Sequence, residues 1–251
     1  MPYIFSISPD VNPSHITGWF IFNTWLQKTL GEPIHLELYS DFASQRKAIV
    51  ENKIDLIYSN PYDAAMLVRK KAFTPIAYPE NRPDEAVIAV RADNPAQTVE
   101  ELSAGIRAAS TNDPDVHMMC MIMLEPAELD RHNVTTERCK SYIIVAKSLL
   151  KGDADIGFFL DEAYNDLSNV VKKGLRPLIS SNIYVFHHAL MVGPRLAHKR
   201  DEILSALLSM GENEKGRGVL RDIAFSGWIE EDHEDMEFMI DVIDTLVDRN
   251  S

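Results

Sequence analysis

Adjacent histidines, a Ser-Thr-Asn-Asp run and an Asn-Pro-Tyr step are where side chains of the right type gather closely enough to do chemistry. His187-His188 invites a metal reading. On a strand, however, neighbouring side chains point to opposite faces, so the two imidazoles make a poor clamp. One is expected in packing and the other on the surface of a chain crossing. In Ser110-Thr111-Asn112-Asp113-Pro114-Asp115, Asp113 before Pro114 has the chemistry of a helix N-cap, and Asp115 suits the dipole of the first turn. His117 then falls on that first turn, at an expected surface position. Asn60-Pro61 repeats the cap chemistry and leaves Tyr62 at a strand–loop–helix step.

Catalytic constellations are missing. G-x-S-x-G, G-x-x-x-x-G-K-[ST], H-E-x-x-H, C-x-x-C and G-x-G-x-x-G do not occur. Gly216-Arg217-Gly218 lies inside a helical pattern and is no nucleotide fingerprint. Cys120 and Cys139 are too far apart for a metal knuckle and too few for a disulfide framework. No pair of carboxylates can be placed across a scissile bond. The expectation is a protein with no catalytic residue, no metal site and no cofactor.

The elements that must position these residues alternate strand and helix. Tyr3–Ser8 reads as a strand, and Asn12-Pro13 opens a helix that Gly31 stops after Leu30. Ile34–Tyr39 alternates as a strand, Asp41 caps a helix through Val50, Ile54–Tyr58 is a buried strand, and Asn60-Pro61 opens a third helix. Thr74–Tyr78 closes this run, which argues for a parallel sheet with helices on both faces. A second run begins with Ala86–Arg91. It continues through a Thr98-Val99-Glu100-Glu101 capping box, a strand at Gly105–Ala109 and a Met-rich helix after Asp113-Pro114. A helix over Ser141–Lys151 and strands at Asp155–Phe159, Leu175–Ile179 and Tyr184–Val192 follow. Everything after Pro194 reads as helix. Late helices without strands of their own must pack on a core already built, so the chain is expected to cross between two lobes twice, forming a hinge.

Charge narrows the partners. The 251 residues carry 25 Lys and Arg against 38 Asp and Glu, a formal net charge of -13. That mean charge repels nucleic acid and anionic membranes. Nine of the acids follow Trp228 with one base, Arg249, and Met236, Met239, Ile240, Ile243 and Val247 fall at helical spacing among them. The reading is an amphipathic helix with a solvated acidic face. No apolar window is long enough to span a bilayer, so no membrane insertion is expected. Met1-Pro2 runs straight into a strand with no leader pattern. The expected location is periplasmic if a leader has been removed ahead of Met1, and cytoplasmic otherwise.

Several segments resemble one known family. Glu51–Tyr62 (ENKIDLIYSNPY) is similar to the "G-x-hydrophobic-D-hydrophobic-x-x-x-N-P-Y" segment of the phosphate/phosphite/phosphonate substrate-binding proteins of ABC transporters. Ala146–Gly157 resembles their "A-h-x-x-G-x-x-D-h-G" segment, Ile183–Gly193 their return crossing, and Ile203–Phe225 their late helices. Order and spacing match over nearly the whole chain. The resemblance implies an α/β, two-lobed, type II periplasmic-binding-protein fold, with two parallel or mixed sheets, flanking helices and a two-segment hinge. Residues 1–88 and 190–251 would form lobe one, and 89–189 lobe two. It implies a monomer that captures a small ligand in the cleft for an ABC permease or a signalling partner, and not an enzyme. A cytoplasmic sensor or a cofactor-biosynthesis enzyme on the same fold is the alternative.

The resemblance also assigns site residues. Asp10, Phe42, Asn60 and Tyr62 would line the cleft from lobe one; Ser110, Thr111, Asn112, Asp113, His117, Tyr142 and Phe158 would do so from lobe two. Two departures matter. Where the family presents a Ser-Thr-Ser-Gly turn to an oxyanion, this chain has Asp113 and Asp115, and Pro114 has no N–H to offer. Tyr142 stands where the family has a histidine. An aromatic and acidic pocket of this kind suits a cationic, zwitterionic or neutral polar ligand better than an oxyanion.

Overall fold

Hydrophobic strands bounded by capped helices build two separate cores in the computed structural model, which describes residues 1–249. By its contacts the chain divides into one unit of Met1–Pro83 with His187–Ile243, and a second of Asp84–Phe186 with the described residues after Ile243.

In the first unit, β1 (Tyr3–Ile7), β2 (Ile34–Glu37) and β3 (Leu56–Ser59) pair in parallel, with β1 between the other two. Three further strands, β4 (Thr74–Pro79), β10 (Ala189–Val192) and β11 (Trp228–Glu230), join antiparallel, giving the order β11-β4-β10-β3-β1-β2. The helices are α1 (Ile16–Leu30), α2 (Phe42–Val50), α3 (Pro61–Lys71), α8 (Arg200–Leu208), α9 (Glu214–Asp222) and, through Ile243, the first part of α10 (His233–Arg249). Trp19, Phe22, Phe5, Tyr58, Phe225 and Trp228 interlock at the centre of the core, with ring centroids 4.8–6.2 Å apart. Each such side chain contributes about 1.5–3 kcal/mol through the apolar surface it removes from water. The helices α1 and α9 approach so closely that a Cβ on Gly18 would sit 2.1 Å from the Asp222 carbonyl oxygen.

In the second unit the sheet order is β7-β6-β8-β5-β9, from β5 (Ala86–Arg91), β6 (Arg107–Ser110), β7 (Thr135–Arg138), β8 (Ile156–Leu160) and β9 (Leu175–Ser180). The β6 strand runs parallel to β7 and β8, whereas β5 is antiparallel to β8 and β9. Around it lie α4 (Pro114–Met123), α5 (Tyr142–Lys151), α6 (Asp161–Asn165) and α7 (Asn169–Lys172). The methionines of α4 pack inward. Met118, Met119 and Met121 are buried, and Cys120 reaches the Val87 carbonyl of β5.

Both sheets are mixed, where the first βα run alone argues for a parallel sheet. Three expectations are corrected. Thr98 makes no side-chain cap, and Val99–Glu101 is a single 3-10 turn, because Leu102 returns at once to extended backbone. The stretch 181–188 is irregular instead of strand: Tyr184 takes a left-handed φ of 56°, and its N–H donates to Glu85, which also binds the Ser181 hydroxyl. The late segment is not all helix, since β11 completes the first sheet along β4.

Candidate functional site

The first unit brings Phe42, Asn60 and Tyr62 together through two helix starts. Asp41 caps α2 by accepting the Ser44 N–H, which fixes Phe42 as the first helical residue. Asn60 caps α3 by accepting the Asp63 N–H at 2.8 Å and is itself fully buried, and Pro61 and Tyr62 follow as the first two helical residues. One turn beyond Phe42, Arg46 lays its guanidinium over both aromatic rings, 5.5 Å from the Phe42 centroid and 5.0 Å from that of Tyr62. Its Nε donates to Asp63 Oδ1 at 2.5 Å. Burial pushes the Asp63 carboxyl up, and the Arg46 hydrogen bond and charge only partly oppose this. The faces expected to favour a cationic ligand therefore already carry a cation of the chain's own.

Asp10, on the loop after β1, is near enough for its charge to help raise the Asp63 carboxyl. Both Asp10 oxygens face His188 Nε2, at 3.1 and 3.2 Å, and the imidazole stacks on Tyr58 with centroids 5.1 Å apart. Burial would raise the Asp10 pKa, but the His188 charge and hydrogen bond hold it below the usual carboxylate value. His187 takes the same kind of partner on the other side of the chain. Its Nε2 lies 2.8 Å from the buried Glu231, and its ring lies tilted against that of Tyr78, with centroids 4.3 Å apart. Neither histidine is a bystander of the crossing, because each is tied to a carboxylate.

In the second unit, Ser110 ends β6 and the turn after it carries Thr111, Asn112 and Asp113. Ser110 and Thr111 are buried, while Asn112 is exposed. Asp113 Oδ1 accepts the N–H groups of Asp115 and Val116 at 3.1 and 3.2 Å, capping α4. Asp113 Oδ2 accepts the Tyr142 hydroxyl at 2.7 Å. The donors at this helix N-terminus are thus turned onto the chain's own carboxylate, and Tyr142 helps to hold it there. The buried Asp115 adds a second acid in the first turn.

His117 is not the surface residue expected. The face of α4 that carries it turns toward β8, so its ring sits 5.8 Å from that of the fully buried Phe158. Its Nδ1 is buried with no hydrogen-bond partner among the described residues. Burial, and then the charge of Arg138, lower the His117 pKa to about 4, so the imidazole is neutral at pH 7. Arg138 sits opposite Ser110 across the β6–β7 pairing. Its Nη1 donates to the Thr111 carbonyl at 2.7 Å and to the Ser110 hydroxyl at 3.4 Å.

Sequence reasoning missed Arg46 and Arg138. The first was accessible, because residues i and i+4 share a helix face and Phe42 was already singled out. The second was not, because the strand that carries it reads Thr-Thr-Glu-Arg, mostly exposed, with no apolar alternation to reveal it.

None of the curated proteins matches the chain. Solved structures do: PhnD1 from Prochlorococcus marinus (MIT 9301) in complex with methylphosphonate has a TM-score of 0.82 at 13% identity, covering 98% of each chain. XAC2383 from Xanthomonas citri bound to chloride ion also reaches 0.82, at 15% identity over 98% of this chain and 99% of that one. A binding protein component of an ABC phosphonate transporter from Pseudomonas aeruginosa reaches 0.79, at 14% identity over 100% and 89%. At such identities the likeness shows the fold, which is the type II periplasmic-binding-protein fold. No helix among the described residues is long and apolar enough to cross a membrane. The family model described as "ABC transporter, phosphonate, periplasmic substrate-binding protein" matches residues 5–236. With that match over nearly its whole length, the chain belongs to the phosphonate family of periplasmic substrate-binding proteins, receptors that bind small ligands and work with ABC permeases.

Proposed function

We propose that this chain is a monomeric, non-catalytic receptor whose ligand is a zwitterionic or neutral polar molecule and not a simple phosphonate. Its ligand-contact residues are Asp10, Phe42, Asn60 and Tyr62 in the first unit, and Ser110, Thr111, Asn112, Asp113, His117, Tyr142 and Phe158 in the second. The receptor works in the periplasm and passes the ligand to an ABC permease.

One observation carries this reading: Asp113 already fills the N-terminus of α4 with a carboxylate, held by two backbone N–H groups and the Tyr142 hydroxyl. A phosphonate brought within 4 Å of it would meet a like charge, a repulsion of about 4 kcal/mol at an effective dielectric of 20. Arg138 offsets this only in part, because its Nη1 is directed at the Thr111 carbonyl. The solved PhnD1 structure holds methylphosphonate, so that compound is the fair comparison.

Calorimetry tests the reading with phosphate, phosphite and methylphosphonate on the wild-type protein and on Asp113→Ser. Serine keeps a hydroxyl cap while removing the charge. Wild type should bind none of the three more tightly than millimolar, and the variant should bind methylphosphonate at least tenfold better. Micromolar binding by the wild type would overturn it.

A further inference from the structure

The acidic average hides one face of opposite character. Residues 138–152 and 167–181 contain no Asp or Glu at all, in a chain that has 38 of them. The first stretch includes α5, whose buried side is Val145, Ala146, Ser148 and Leu149. Its outer side presents Ile143 (59% exposed), Ile144 (42%) and Leu150 (38%), interleaved with exposed Lys147 and Lys151. The second stretch includes α7, with Val170 83% exposed, followed by Lys172 and Lys173. The two are continuous: a Cβ on Gly174, just after α7, would lie 2.5 Å from Leu150 Cδ2, so the α7 turn is seated against α5. Lys147, Lys151 and Lys173 make no ion pair among the described residues, and Lys172 reaches only the Asn165 carbonyl.

We propose that this α5–α7 face is a peripheral docking surface for anionic phospholipid headgroups. Protein interfaces concentrate Tyr, Trp and Arg at their centres and are poor in Lys. Here the arginines and the aromatic ring of these stretches point elsewhere. Arg138 turns to Thr111, Arg176 to the Asn94 and Ala96 carbonyls, and Tyr142 to Asp113. What is left outside is lysine and aliphatic side chain, the composition that combines attraction to anionic headgroups with shallow burial at the acyl boundary. The net charge of -13 does not forbid this, because charges farther off than about 8–10 Å are screened at physiological salt. The inference is independent of which ligand the receptor carries.

The test is co-sedimentation of the full chain with phosphatidylcholine vesicles and with 3:1 phosphatidylcholine:phosphatidylglycerol vesicles at low salt. The wild type should bind only the anionic vesicles and should be released by 0.5 M salt. Reversing Lys147, Lys151 and Lys173 to Glu should lower the partition roughly 100-fold, at about fivefold per lysine. All three are exposed, and an unchanged melting curve would show the variant folded. No sedimentation with the anionic vesicles would overturn the proposal, as would equal binding to both lipids or binding unchanged by the reversal. Self-association abolished by the variant, without vesicle binding, would assign the face to a second copy of the chain and also overturn it.

Discussion

A largely buried imidazole that stays neutral links the stability of the second unit to solution pH. His117 titrates near pH 4 when folded and near 6.5 when unfolded, because burial and the Arg138 charge both disfavour its protonated form. Between those values the unfolded chain binds the proton and the folded chain does not. Stability therefore falls as pH drops through this window, by up to about 1.4 kcal/mol per pH unit, and the loss is complete below pH 4. Asp10 works in a lower range. Its depressed pKa stabilises the fold above the ordinary carboxylate value, and that contribution is lost as pH falls through the folded pKa. Urea melts of wild type and His117→Asn between pH 7 and 4 separate the two, since the variant should lose the slope from 6.5 to 4. An unchanged slope would place the titration elsewhere. Much at this scale was legible in the sequence. Asp113 as an N-cap, Asp115 in the first turn and Tyr62 after Asn60-Pro61 follow from local chain chemistry. The partners of Asp10, Asp63 and Asp113 were not, because His188, Arg46 and Tyr142 reach them only through tertiary packing.

The elements were legible in proportion to how much of their own punctuation they carry. Helices opened by Asp41, Asn60 and Asp113 or closed by Gly31 and Gly152 stand where those residues predict, while Asn12 caps a single 3-10 turn that runs into α1. The strands β7 and β11 escaped, since one is a mostly exposed edge and the other is three residues long and held by its partner β4. Gly18 shows a constraint that local reading misses. Inside α1 a glycine costs helix propensity relative to alanine, yet here the Asp222 carbonyl occupies the space an alanine methyl would need. Gly18→Ala should gain about 1 kcal/mol from propensity and lose more, because an atom at 2.1 Å from a backbone oxygen forces α1 and α9 apart. The expected net is a destabilisation of about 1–3 kcal/mol, read as a lower urea midpoint at unchanged slope. A stabilised variant would show that this helix contact yields easily.

At the scale of the whole molecule, the alternation of strand and helix together with four family-like segments identified the fold, although the solved relatives share only 13–15% of residues. Ligand choice does not follow from the same signal, because strand and helix alternation says nothing of which side chains would meet a ligand. Each unit has its own sheet and its own apolar core, so each can report separately on what binds it. A ligand bound only by the folded state stabilises what holds it by about 2.7 kcal/mol at a hundred times its Kd. For a chain of this size that amounts to a rise in Tm of roughly 5–10 °C. A calorimetric screen of small zwitterionic and neutral metabolites should therefore give at least one compound that raises Tm by several degrees. The transition of a unit that holds the ligand rises with it. A panel with no shift, and a compound consumed catalytically, would sink the receptor reading in favour of an enzyme on the same scaffold.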